Sequence, residues 1–265
     1  MIAYPAIDPV FLKIGPLSFR WYGLMYAISF VLAVFLIPIL AARKEIEVTK
    51  EAVSDLLFYV AIGVILGGRL GYILFYNPVF YFTNPTKLFA VWEGGMSFHG
   101  GLLGVIIAGL IFCRTRKYSF YTWADISMIN VSIGLGLGRI GNFINGELFG
   151  RPTNLPWCMV FPQGGDICRH PSQLYQAALE GGAISLILWV LFKKDLPRGT
   201  LFWSLILFYG LFRFLVEFVR EPDAHIGFLF QTFSMGQLLS LPMFVVGTVM
   251  IWFLNRSLSA SSQNH

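Results

Sequence analysis

Three residues at the end of an apolar run carry the sharpest chemical signal. Arg213, Glu217 and Arg220 fall at i, i+4 and i+7, the spacing of one helical face. Glu217 is in reach of Arg213, and Arg220 lies about a turn further on. Two guanidiniums against one carboxylate leave a cationic stripe. A guanidinium suits phosphate because its planar fork donates two parallel hydrogen bonds. A second cluster reads Gly138-Arg139-Ile140-Gly141-Asn142-Phe143-Ile144-Asn145-Gly146-Glu147-Leu148-Phe149-Gly150. Close helix packing accounts for its glycines, but not for Arg139, Asn142, Asn145 and Glu147. A dinucleotide loop needs a strand before it and a helix after it, and nothing here resembles that unit. A third cluster, Trp92-Glu93-Gly94-Gly95-Met96-Ser97-Phe98-His99-Gly100-Gly101, suggests an irregular turn shielded by protein or lining a cavity. His99 is either a general base, its free pKa lying near neutrality, or a buried ring that orients a neighbour. A fourth, Arg169-His170-Pro171-Ser172-Gln173-Leu174-Tyr175-Gln176, opens an apolar run with Ser172 as a candidate N-cap. Gly68-Arg69-Leu70-Gly71 echoes Gly138-Arg139-Ile140-Gly141 and adds a further cation. The four histidines and three cysteines show no metal spacing, and no Ser-His-Asp arrangement emerges.

The elements that must position these groups are transmembrane helices. The chain has 265 residues, 56% of them hydrophobic and only 12% charged, against about 25% charged in a soluble domain. A chain this poor in charge cannot cover a water-facing surface. A spanning helix takes roughly 20 apolar residues, and seven segments qualify, near 20–42, 52–76, 98–112, 121–141, 172–192, 200–219 and 235–254. The expected fold is all-α, a polytopic integral membrane helical bundle of about seven spans, with residues 1–265 forming one transmembrane domain. The start, Met1-Ile2-Ala3-Tyr4-Pro5, lacks the basic region of a cleavable signal. Basic clusters follow the first, third, fifth and seventh spans: Arg43, Lys44 and Lys50; Arg114, Arg116 and Lys117; Lys193, Lys194 and Arg198; Arg256. The positive-inside rule then puts the C-terminus in the cytoplasm and the N-terminus outside.

In that topology Arg69, Glu93, His99, Arg139, Glu147, Glu180, Arg213, Glu217 and Arg220 sit within or at the outer ends of apolar segments. Ionisable groups there are costly and usually pair inside the bundle. The alternatives are structural salt bridges and arginines that snorkel to the headgroups. Cys158 and Cys168 share one outward loop, either as a disulfide in an oxidising compartment or as two free thiols. Two function classes remain: a membrane enzyme acting on an anionic lipid, or an anionic lipid transporter. A transporter favours a clear two-fold repeat with a midplane site, whereas these charges lean to the outer face.

The clusters also form an ordered set with Asp8-Pro9, the run Trp21 to Tyr26, Gly67 to Tyr72, the run from Arg213 to Asp223, and Ser234 to Gln237. That set resembles the bacterial prolipoprotein diacylglyceryl transferase family over nearly the whole chain. One departure is Gln176, where the family is expected to have glutamate. The resemblance implies transfer of the diacylglyceryl group of phosphatidylglycerol to the lipobox cysteine of a prolipoprotein, giving a thioether and glycerol phosphate. It implies a bacterial inner-membrane enzyme with its site toward the outer face, opening sideways to the bilayer. No cofactor, metal or nucleic acid is expected. Matched by motif position, Arg139 and Arg213 bind phosphate and stabilise the leaving group, and His99 serves as base or thiol orienter. Tyr26, Arg69, Asn142, Asn145, Glu147, Gly150, His170, Glu217 and Arg220 line the headgroup site or hold the arginines.

Overall fold

The computed structural model describes residues 1–5, 7–15, 17–76, 78–90, 95–222, 228–229 and 233–262. Every apolar segment singled out above is a helix. A hairpin of β1 (Val10–Ile14) and β2 (Leu17–Arg20) leads into α1 (Trp21–Arg43). Next come α2 (Lys50–Tyr76), the short α3 (Pro78–Thr83), α4 (Phe98–Thr115) and α5 (Phe120–Ile144). A two-residue pair, β3 (Met159–Val160) and β4 (Cys168–Arg169), precedes α6 (Ser172–Phe192). Then follow α7 (Thr200–Val216), the pair β5 (Phe228–Leu229) and β6 (Phe233–Ser234), and α8 (Met235–Ser262). Four stretches are long and apolar enough to cross a membrane: Trp21–Arg43, Lys50–Phe75, Ser172–Phe192 and Met235–Arg256. Gly100–Thr115 and Thr200–Val216 are shorter apolar helices.

The sixth segment stops earlier than expected. Helix α7 ends at Val216, and Glu217 caps it. Arg220 is therefore not helical; its backbone bridges that of Gly150 in antiparallel fashion. Pro222 disfavours helical geometry at the residue before it, which closes the option of a longer helix.

The chain divides into two compact units, Ala33–Trp123 and the remainder. In the first, α2 and α4 pack through small residues. A methyl on Gly67 would lie 2.8 Å from the Gly104 Cα, and one on Gly71 equally close to the Gly100 Cα. Backbones in such contact gain dispersion and weak polar contacts that bulkier residues would prevent. Below this seam Phe112, fully buried, packs edge-on against Tyr59 and Trp123 at 5.9 and 5.0 Å. Asp55 and Arg116 form an ion pair beside it.

In the second unit, Asp125 near the start of α5 accepts from the amides of Gly199 and Phe202 at 2.7 and 2.9 Å. A carboxylate there satisfies orphan donors at the start of α7 and complements the helix dipole. The other end of α5 closes in a Schellman turn. Gly146 is left-handed (φ +67°), its amide reaches the Phe143 carbonyl, and the Glu147 amide reaches that of Asn142. The Tyr4 hydroxyl donates to the Phe143 and Ile144 carbonyls at 2.7 and 3.0 Å. Phe143, Met159 and Phe161 form a small core there. Cys158 and Cys168 are joined as a disulfide across the β3–β4 pair, with Cα atoms 5.4 Å apart. Of the two readings open from sequence, the paired one is realised.

Candidate functional site

The charged residues of α5, α6 and α7 meet inside the larger unit. Glu217 is the hub. Its carboxylate, 1% exposed, takes Nη2 of Arg213 at 2.6 Å, Nη1 of Arg220 at 3.2 Å and the hydroxyl of Ser234 at 2.5 Å. The stripe proposed from spacing thus exists as an ion triad, although Arg220 reaches it from a turn rather than a helix. Ser234 is fixed by a capping box at the start of α8. The Gln237 amide donates to its hydroxyl, and its own amide donates to the Gln237 side chain, both at 3.1 Å.

Arg139 lies in the same region. Its Nε donates to Glu180 at 2.9 Å. Glu180 has no exposed surface. Tyr209, one turn before Arg213 on α7, is buried and lies within electrostatic range of Arg139, Glu180 and Arg213. Arg213 in turn feels Arg139 and Arg220. Among the described residues, three guanidiniums here share two carboxylates. Nη1 of Arg213 is buried and has no hydrogen-bond partner among the described residues. A buried cationic donor without an acceptor is costly, and an anionic oxygen would relieve it.

Tyr22 and Tyr26 border this cluster from α1. Their hydroxyls are 3.1 Å apart, and Tyr22 is within electrostatic range of Arg139 and Glu147. Glu147 is held by both asparagines, with Nδ2 of Asn142 at 2.8 Å and of Asn145 at 3.1 Å from one oxygen.

Gly150 and His170 hold the frame. The Gly150 amide donates to the His170 carbonyl at 2.8 Å. A methyl on Gly150 would sit 2.5 Å from the His170 Cβ and 2.6 Å from the Val219 carbonyl oxygen. Gly150→Ala is therefore expected to cost on the order of 3 kcal/mol by overpacking. It would lower the unfolding temperature in detergent, as read by intrinsic fluorescence. Arg151 secures the same crossing, donating to the Arg220 and Glu217 carbonyls at 3.0 Å each. His170 Nδ1 lies 3.2 Å from the Tyr175 hydroxyl, which accepts from Trp157 at 2.7 Å. Ser172 does not cap α6: its hydroxyl donates to the Leu148 carbonyl at 2.9 Å, and Pro171 takes the cap position. Gln173 donates to the Glu147 carbonyl at 2.6 Å. The whole motif thus staples the start of α6 to the turn that carries Glu147.

Burial holds the His170 imidazole below its ordinary pKa. The unfolded chain then takes up the proton first, near pH 6.5. Stability contributed by neutral His170 is full above that value and is lost as pH falls through it. Unfolding temperatures measured from pH 8 to pH 5 should decline more steeply in the native protein than in His170→Gln.

Arg69 lies in the smaller unit. It is 4% exposed and donates to the carbonyls of Lys87, Leu88 and Gly95 at 2.6, 3.0 and 3.2 Å, with its guanidinium 4.9 Å from the Tyr81 ring centre. Ser97 caps α4, accepting from Gly100. His99 falls in the first turn of that helix, and its side chain lies outside the described residues, as do Glu93 and Asp223.

Spacing did not pick out Tyr209 or Ser234, and it left Glu180 without a partner. Tyr209 stands four residues before Arg213, and Ser234 begins a Ser-x-x-Gln capping signature; both are readable signals. The Arg139–Glu180 pair joins two helices and has no local signature.

A family model described as prolipoprotein diacylglyceryl transferase matches residues 9–253. The chain belongs to this family. It is 58% identical over 253 residues to the phosphatidylglycerol–prolipoprotein diacylglyceryl transferase of Geobacter sulfurreducens, covering 96% of this chain and 97% of that one. The enzyme of the same name from Aeromonas hydrophila is 53% identical, covering 94% and 91%. That from Pseudomonas aeruginosa is 53% identical, covering 97% of each chain. The match runs from β1 into α8, so the charged clusters described above lie inside the matched region.

Proposed function

We propose that this chain is a phosphatidylglycerol–prolipoprotein diacylglyceryl transferase of the bacterial inner membrane. The observation that carries the reading is the buried cluster of Arg139, Arg213 and Arg220 on two carboxylates, within a full-length match to the family. In the reaction the prolipoprotein thiolate attacks the diacylglyceryl carbon. A C–S bond forms, the C–O bond to phosphate breaks, and glycerol phosphate departs with one more negative charge than the diester carried. Preorganised donors aimed at that developing charge are the largest catalytic lever in a water-poor site.

Arg213 and Arg139 take the phosphate oxygens, and Nη1 of Arg213 is the donor ready for one of them. Glu217 and Arg220 fix Arg213, while Tyr26, Asn142, Asn145 and Glu147 border the headgroup. Gly150 and His170 hold the frame that presents them. Arg69 secures the segment leading to His99, the candidate for taking or orienting the thiol proton, a role that rests on motif position. The substrate thiol supplies the nucleophile, and the thiolate is its reactive form.

Seven spans, with the N-terminus outside and the C-terminus in the cytoplasm, suit this chemistry. Basic clusters at the ends of α1, α4 and α6, with Arg256 in the last part of α8, favour a cytoplasmic side. The Cys158–Cys168 disulfide favours an oxidising compartment for the opposite side, which carries Glu147 and His170. The disulfide closes a short loop, and reduction is expected to cost about 2–3 kcal/mol. A lower unfolding temperature in dithiothreitol, absent in Cys158→Ala/Cys168→Ala, checks this.

Headgroup-labelled phosphatidylglycerol tests the reaction. Labelled glycerol phosphate should appear only when a lipobox peptide with its cysteine is present. Release without peptide would mean a phosphodiester hydrolase that gives diacylglycerol with water as acceptor, and no release despite lipid binding would favour an anionic lipid transporter.

A further inference from the structure

Helices α5 and α6 run antiparallel and touch along three successive rungs. The Ser132 and Ser185 hydroxyls are 2.8 Å apart. One turn on, Gly136 and Gly181 meet backbone to backbone: a methyl on Gly181 would lie 2.6 Å from the Gly136 Cα. The third rung is Arg139 with Glu180. Neither glycine can gain a side chain without driving the helices apart, so the crossing distance is fixed next to the ion pair. Glu180 also sits in a π-helical stretch, Ala177–Ala183, which interrupts the α geometry of α6. Such bulges re-aim side chains and frequently occur at functional sites. A carboxylate with no exposed surface is expensive unless it is paired, and only the Arg139 side carries that pairing: Oε2 is engaged at 2.9 Å, while Oε1 is buried with no hydrogen-bond partner among the described residues.

The contact is made through Nε of Arg139. A guanidinium held at Nε presents its terminal nitrogens outward in a fixed plane. We propose that Glu180 is a positioning residue of this enzyme: it clamps Arg139 so that the terminal nitrogens face the lipid phosphate, with the Gly136–Gly181 crossing and the π-helical stretch setting its reach. The proposal rests on the reading of Arg139 as a phosphate ligand. A simple counter-ion would need neither a fixed crossing nor an interrupted helix.

The test is a double-substitution cycle on purified, detergent-solubilised full-length protein with phosphatidylglycerol and lipobox peptide. Glu180→Gln keeps the shape and one acceptor but removes the charge. It should lower kcat about 10- to 100-fold, with KM for the lipid changed less, in protein whose unfolding temperature shows it is folded. In an Arg139→Lys background, where no planar fork remains to be aligned, Glu180→Gln should add less than threefold. Multiplicative losses in the double variant would overturn the proposal, because Glu180 would then act independently of Arg139. Native kcat in folded Glu180→Gln would also overturn it. If Arg139→Lys and Arg139→Ala both keep native kinetics, the phosphate-ligand reading itself fails. Gly181→Ala is the second variant: it leaves both charges in place and should reproduce the kcat loss of Glu180→Gln in the folded fraction, and native kcat there would contradict the role of the crossing.

Discussion

Glu217→Ala is expected to abolish transfer and to destabilise the fold by on the order of 3–5 kcal/mol, the cost of stranding buried charge by removing its partner. Glu217 accepts from Arg213, Arg220 and Ser234 at once, at 1% exposure. Without it two guanidiniums lose the carboxylate that they share in a low-dielectric site. The damage also reaches α8, because Ser234 binds Glu217 while serving as that helix's cap. Glu217→Gln separates the two effects. It preserves volume and can keep one oxygen for both arginines, but it removes the charge, and its amide nitrogen cannot accept from Ser234. Unfolding temperature in detergent and labelled glycerol phosphate release, measured on the same preparations, should both fall, with Gln intermediate between native and Ala.

Arg139→Ala should cost about 2.7–4 kcal/mol of transition-state stabilisation, the scale set by removing one preorganised donor from an anion-stabilising site. That is roughly a 10²- to 10³-fold loss of kcat. Arg139→Lys keeps the charge but loses the planar fork, so it should fall between the two. Arg69→Lys is the contrast. Its parent guanidinium donates to three backbone carbonyls around Lys87, Leu88 and Gly95. Its loss should appear first as a lower unfolding temperature. Single-turnover rates with saturating phosphatidylglycerol distinguish the two classes.

The helices were legible because an apolar run of span length has few alternatives in lipid, where backbone groups must bond internally. The Arg213–Glu217 pair was legible because both residues lie on one helix, at i and i+4. The end of α7 was not, since it is decided by a tertiary bridge between Arg220 and Gly150. Arg139 and Glu180 are 41 residues apart, and no periodicity links two helices at that separation. Arg69 and Arg139 share a Gly-Arg-x-Gly setting, yet one donates to loop carbonyls and the other to a carboxylate. The difference comes from what packs above each helix. Ser172 read as a cap from its place before an apolar run, but the left-handed Leu148 (φ +57°) offers a carbonyl that its hydroxyl takes instead. Gly146 as a left-handed helix stop and Ser234 with Gln237 as a capping box carry local signatures, and both belong with the features that sequence can supply.

The mass of a synthetic lipobox peptide, incubated with phosphatidylglycerol and purified protein, tests the central claim most directly. Native protein should add one diacylglyceryl group to the cysteine peptide and none to its Cys→Ala counterpart, and folded Arg139→Ala should add little or none. An unmodified cysteine peptide with folded, lipid-binding native protein, or full modification by Arg139→Ala, would contradict the account.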